Sequence, residues 1–178
     1  MQWIVGELPE TVNGFCQYGK WHDIEVEDDV TAYLEFPNGS TGVFIASTGD
    51  LLMHKPVIDT CRQKDGTYNF DFLFEGIEDF LAEAEVKMIN QETILGGNQL
   101  GFSGYPHFNS PTEVGDAIVE AGFNVVLHSS NHTADKGLKG ILNCVDYWQQ
   151  YPEVLVAGID GDGVKDEIQI LEIEGVTF

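Results

Sequence analysis

The chain has 178 residues, 43% hydrophobic and 11% aromatic, which is enough apolar material for a packed core and too much for a disordered tail. Its 8 Lys and Arg against 30 Asp and Glu leave a net charge of −22, a field that repels phosphate backbones and anionic lipid and so argues against nucleic acid and membrane surfaces as partners. No apolar run approaches the roughly 20 residues needed to span a bilayer, and MQWIVGELPE lacks the basic-then-apolar pattern of a signal peptide. As it stands the chain therefore reads as cytoplasmic. Cys16, Cys61 and Cys144 contain no CxxC and are odd in number, which fits buried or incidental thiols in a reducing compartment.

Up to residue 47 the chain has a β rhythm. Val30–Phe36 places Val30, Ala32, Leu34 and Phe36 on one face, and Pro37-Asn38-Gly39-Ser40 separates it from TGVFIAS. Asn-Gly between two β-rich runs predicts a hairpin. The acidic run Glu25, Glu27, Asp28 and Asp29 ahead of it reads as a solvated lead-in.

From Thr48 the rhythm changes to alternating strands and helices. Phe70–Ala84 carries Phe70, Leu73, Phe74, Ile77, Phe80 and Leu81 at helical spacing, which predicts one helix with an apolar stripe. Val86–Thr93 reads as a short strand with a polar end. SPTEVGDAIVEAGF opens with Ser110, Pro111 and Glu113, a helix-start signature, and Gly122 marks its end. Phe123–Ser129 reads as a buried strand. Asp135–Gln150 reads as a helix with Leu138, Ile141, Leu142, Val145 and Trp148 inward, and IQILEIEGVTF alternates like a hairpin strand. The order implies an α/β fold: a mixed, largely parallel sheet with flanking helices, preceded by an N-terminal β-hairpin. The two segments are 1–47 and 48–178, expected to share one sheet in which Val43–Ser47, Val86–Ile89 and Phe123–Leu127 are neighbours.

In an open α/β sheet, ligands bind at the carboxyl ends of the strands. Three polar clusters fall there: Gly49 to His54, Asn90 to Thr93, and Ser130 to Gly137. They offer carboxylates, imidazoles and an amide oxygen, a mixed O/N donor set suited to Mn, Fe or Zn. Each cluster alone reads more readily as a structural feature, such as an Asn N-cap beside a histidine; three at successive strand ends make a polar active-site rim as good a reading as coincidence.

From Gly49 to about Phe178 the chain resembles the CapA/PgsA-type proteins of capsule and poly-γ-glutamate synthesis, within the calcineurin-like metallophosphoesterases. The stretches that carry the likeness are GDLLMH, YNFDFLFEGIEDFLAEAE, NQETILGG, GYPHFNSP, AGFNVVLHSSNHTADKGLKGI and ILEIEGV. The resemblance implies a partial calcineurin-like fold, with a small-molecule or polymer-precursor substrate. By the same resemblance Asp50, His54, Glu92 and Asn131 would be metal ligands, with Asn90 beside Glu92. His132 would serve the leaving oxygen and Asp135 would orient it. Ser130 stands where the family has a second Asn, and Gln91 replaces a residue that is usually apolar. The family's later histidine motifs have no counterpart here, since no histidine follows His132. That predicts weak metal affinity and little or no hydrolysis. By the same resemblance, full-length members usually act outside the cytoplasm.

Residues 1 to about 48 resemble instead the C-terminal substrate domain of Gfo/Idh/MocA sugar oxidoreductases, through GKWHDIEVEDDVTAYLEFPNGSTGVFIASTG. The dinucleotide-binding half, with its GxGxxG, is absent, so no NAD(P) chemistry is expected. The pair of likenesses implies a chimera joined within VFIASTGD. Three functions compete: a metallophosphoesterase-type domain that is weakly active or inactive, a catalytically silent folding or interaction module, and a remnant of the oxidoreductase substrate domain.

Overall fold

The structure is a computed structural model that describes residues 10–18, 27–35, 37, 45–82, 84–161, 168–173 and 176–177. Strand β1 (Thr11–Tyr18) pairs antiparallel with β2 (Glu27–Glu35), in a register running from Thr11 opposite Glu35 to an irregularity at Gln17/Tyr18. The sequence reading located β2 but not β1. The expected Asn38-Gly39 turn lies outside the described residues, as do Val43 and Phe44.

The centre of the molecule is a four-stranded, all-parallel sheet in the order β3 (Ile45–Asp50), β4 (Val86–Asn90), β5 (Val125–Leu127), β6 (Leu155–Ala157). Ile45 lies opposite Val86, Met88 opposite Val125, and Val125 opposite Leu155. Parallel neighbours require crossovers, and helices supply them. The fold is thus the α/β sheet with flanking helices that the sequence implied, consistent with a partial calcineurin-like fold. Among the described residues, β1–β2 form a separate two-stranded sheet and β3 pairs with β4. Strand β6 was not anticipated. The C-terminal alternation becomes a small antiparallel pair, β7 (Glu172–Ile173) with β8 (Val176–Thr177).

Helix α1 (Lys55–Thr60) follows β3, with Pro56 in its first turn. The single helix expected over Phe70–Ala84 is broken: Asp71–Leu73 is a 3-10 turn and only Glu78–Ala82 (α2) is α-helical. Gly76 between them has φ +89°, a left-handed conformation that ends helical propagation. Phe70, Phe74 and Leu81 are nonetheless buried, so the apolar stripe is correct although the helix is not continuous.

Helix α3 (Glu113–Glu120) ends in a Schellman motif: Phe123 N donates to Ile118 O at 3.2 Å and Gly122 N to Val119 O at 2.9 Å, with Gly122 at φ +90°. The two residues that this motif brings together, Phe123 and Ile118, both enter the core. Its expected cap does not form. Ser110 is fully buried with its Oγ 2.8 Å from Thr93 Oγ1, and Thr112 occupies the cap position without a side-chain capping bond.

Helix α4 (Gly137–Trp148) buries Gly140, Cys144, Tyr147 and Trp148. Leu138 and Leu142 are exposed, against the expected inner face. Two close approaches rotate the helix. At Gly115 on α3 a Cβ would collide with the Tyr147 ring, and at Gly140 it would meet Lys136 Cβ and come 3.8 Å from Ile94 Cγ1. With α4 so turned, Tyr147 Oη donates to Asp116 Oδ1 at 2.7 Å and Tyr151 Oη donates to the same oxygen at 2.7 Å. Ala46, Ile89 and Val126 from the sheet join Ile58, Phe74, Val114, Ile118, Phe123, Cys144 and Trp148 in one core. Cys61 and Cys144 are buried free thiols, and burial pushes Cys144 up to about 12. Among the described residues no helix is long and apolar enough to cross a membrane.

Candidate functional site

Because β3, β4 and β5 run parallel, their carboxyl ends share one edge, and the three polar clusters sit there. Adjacent strand ends lie about 4.8 Å apart, so the β3 and β5 ends are roughly 10 Å from each other. Asp50 closes β3, and its Oδ1 accepts a hydrogen bond from Asn90 Nδ2 at 2.6 Å. Leu51 N donates to Asn90 O at 2.8 Å and Gln91 N to Leu127 O at 2.9 Å, so backbone bonds tie the three loop beginnings together.

Glu92 is half-buried, and its carbonyl accepts Ser130 Oγ at 2.9 Å. The same Ser130 oxygen accepts from His132 N at 3.0 Å. Ser130, a departure from the family pattern, thus links the β4 and β5 loops. Gln91, the other departure, is fully buried and donates to Thr93 O at 2.6 Å.

His132 Nδ1 lies 2.8 Å from Asp135 Oδ2, and the two side chains are only 15% and 10% exposed. The same Oδ2 accepts the backbone N–H of Phe108 at 2.7 Å. With Nδ1–H donating to the carboxylate, the ring orientation is fixed and Nε2 is the nitrogen left for a ligand. His107 Nδ1 is 3.9 Å from the other oxygen, Oδ1. The buried Phe108 ring stands between two imidazoles, with centroids 5.2 Å from His54 and 4.6 Å from His132, both edge-on.

His54 is exposed, and its carbonyl accepts Val57 N and Ile58 N to start α1. Asn131 is exposed in the turn before His132. The structure therefore joins His132 to Asp135, Asp50 to Asn90, and the Glu92 backbone to Ser130. Among the described residues no three His, Cys, Asp or Glu side chains converge as a metal cage. The donor types fit a mixed O/N ion site and share one edge, but they are not drawn together.

Sequence reasoning did not assign roles to Phe108, Asn109 or His128. Asn109 is fully buried: its Oδ1 accepts Gly96 N at 2.9 Å, and its Nδ2 donates to Gly97 O at 2.9 Å and Gly101 O at 3.0 Å. His128 lies behind the rim, where burial lowers its pKa to about 4 against a smaller opposing effect of the Gln91 carbonyl. That carbonyl is near the ring, but Nδ1 makes no hydrogen bond of ordinary geometry. The available signal for Phe108 and Asn109 was the density of aromatic, His and Asn residues in GYPHFNSP; His128 stood at the end of an apolar strand run with nothing to mark it.

No curated protein matches this chain. The family model described as bacterial capsule synthesis protein PGA_cap matches residues 44–178, from just before β3 through the rim and the C-terminal strands. The match begins after β1 and β2 and includes Asp50, His54, Glu92, Asn131, His132 and Asp135. By these residues the chain belongs to the bacterial capsule synthesis protein family.

Proposed function

We propose that the 178-residue chain is a metallophosphoesterase-type domain serving capsule, poly-γ-glutamate-type, synthesis, with a weakly held divalent ion and hydrolysis near background. The observation that carries this reading is the His132–Asp135 pair at 2.8 Å, anchored to Phe108 and set beside the Asp50–Asn90 strand ends. Asp50, His54, Glu92 and Asn131 would hold Mn, Fe or Zn. Such an ion would neutralise phosphoryl oxygens and acidify water. His132, held by Asp135, would present Nε2 to the leaving oxygen. Affinity is low because the donors are dispersed over three loops and Asp50 already accepts from Asn90.

The Asp50–Asn90 bond also supports a second reading, a silent module in which strand-end polar residues only tie loops together. For residues 1 to about 48, which the family match overlaps only from residue 44, the likeness to an oxidoreductase substrate domain is a proposal that sugar binding would support. The deciding experiment titrates Mn²⁺ and Mg²⁺ at equal ionic strength into wild type and the Asp50→Asn, His54→Ala double variant. A small Mn²⁺ preference that the variant loses supports the metal reading. Identical responses to both ions in both proteins establish the silent module, and robust metal-dependent phosphodiester hydrolysis overturns the low-activity claim.

A further inference from the structure

Beside the rim, His54, Lys55 and Pro56 face Phe102, Ser103, Gly104 and Tyr105 across a cleft of about 510 Å³. The cleft is shallow and open to solvent, so it would hold part of a ligand rather than enclose one. One wall is the start of α1. The other is a tight hairpin in which Ser103 N donates to Asn109 O at 3.1 Å and Asn109 N to Ser103 O at 2.9 Å. Ser103 Oγ also donates to His107 O at 2.5 Å, and the three amide bonds of Asn109 fasten the hairpin base to the 96–101 loop.

The walls meet at Gly104, where a Cβ would come 2.8 Å from Lys55 N and 3.3 Å from Lys55 Cβ. Only a glycine permits that approach. On this anchored hairpin Tyr105 is 79% exposed, a large aromatic ring held in water by a fixed backbone. A ring so presented offers a flat face to another ring at little ordering cost.

We propose that this cleft is a subsite for a ring-bearing anion, with the ring against Tyr105 and a phosphate or carboxylate toward Lys55. Among the described residues Lys55 is the one lysine or arginine lining the cleft, in a chain of net charge −22. Its ion pair with Asp59 is exposed on both sides, so the ammonium exchanges partners at little cost. His54 belongs to both cleft and rim, so the two adjoin through one residue. The proposal rests on the metallophosphoesterase-type reading for calling the cleft a substrate subsite, but not for ligand binding itself.

The test is calorimetric titration of EDTA-treated protein with phenyl phosphate, benzoate, benzyl alcohol and inorganic phosphate. Probes this small bind open clefts with dissociation constants on the order of millimolar. Phenyl phosphate is expected to bind more tightly than inorganic phosphate or benzyl alcohol, and its ranking against benzoate identifies the oxyanion. Lys55→Ala and Tyr105→Ala should each weaken it about three- to tenfold, without altering the thermal midpoint, since both side chains are exposed. Asp50→Asn with His132→Ala should leave it unchanged. No saturable binding by metal-free wild type, or binding by Lys55→Ala and Tyr105→Ala as tight as that of wild type, overturns the proposal. Binding lost in the Asp50, His132 variant but kept in Lys55→Ala assigns the anion to the rim and overturns it too. Cleft binding without any Mn²⁺ preference leaves the subsite standing and removes the metal reading instead.

Discussion

Trp148 donates its indole N–H to Nε2 of His128 at 2.8 Å, and because an indole nitrogen can only donate, the histidine must be neutral with its proton on Nδ1. Protonating His128 would break that bond inside the core. Its folded pKa of about 4 lies below the ordinary imidazole value of 6.5, so between these values the unfolded chain binds the proton and the folded chain does not. Stability from this group is therefore complete above about pH 6.5 and falls as pH drops toward 4. Unfolding by urea should show a loss of about 2 kcal/mol between pH 7 and pH 5 from His128 alone. Because acid also relieves repulsion among the carboxylates, the quantity to read is the difference from His128→Gln at each pH. An identical pH slope in the two proteins would refute the assignment.

Asp135 should be structural as well as functional. Replacing it with Ala strips the acceptor from Phe108 N and His132 Nδ1 at once, and should cost about 2–3 kcal/mol in urea unfolding. Asp135→Asn retains a neutral acceptor for Phe108 N and should recover at least half of that loss. Equal stability of the Ala variant and wild type would show that the clasp is not formed in solution.

Gly115→Ala tests the rotation of α4. Helix propensity alone favours the alanine by about 1 kcal/mol. The new methyl would nevertheless fall within contact distance of Tyr147 Cε1, Cζ and Oη, and Tyr147 is held by Asp116 and packed on Trp148. Overpacking costs about 1–3 kcal/mol, so net destabilisation is expected. A raised thermal midpoint would mean that α4 sits differently.

Salt should stabilise the protein. With a net charge of −22, raising NaCl from about 10 to 150 mM shortens the screening length from about 30 to 8 Å and should raise the thermal midpoint. A midpoint that is flat or falls over that range contradicts dominance by self-repulsion.

Long-period and strand-end features were legible in the sequence. β4, β5, α3 and α4 follow from apolar runs bounded by Gly122 and polar clusters, and parallel order follows from their alternation. β1 was hidden because Asn13-Gly14 lies inside the strand and looks like a turn, and β6 because three residues carry little periodicity. The break at Gly76 was readable only as a glycine, since nothing in the pattern states its φ. The inner face of α4 was misjudged because glycines at 115 and 140, not the leucines at 138 and 142, decide which side approaches the core. At the rim, the pairing of Asp135 with His132 was implied by the family resemblance, and the structure places the two 2.8 Å apart. The placement of Phe108 between His54 and His132 was not, because it joins three loops distant in sequence.

In the central sheet, spatial order and chain order coincide: β3, β4, β5, β6. Each strand therefore docks on the one synthesised just before it, and no pairing within this sheet waits for a later strand to insert between two earlier ones. During translation the sheet can grow in one direction as each crossover leaves the ribosome. The parts of the rim leave the ribosome in the same order: Asp50 first, Asn90 with β4, then Phe108, and last the His132–Asp135 pair that clasps it.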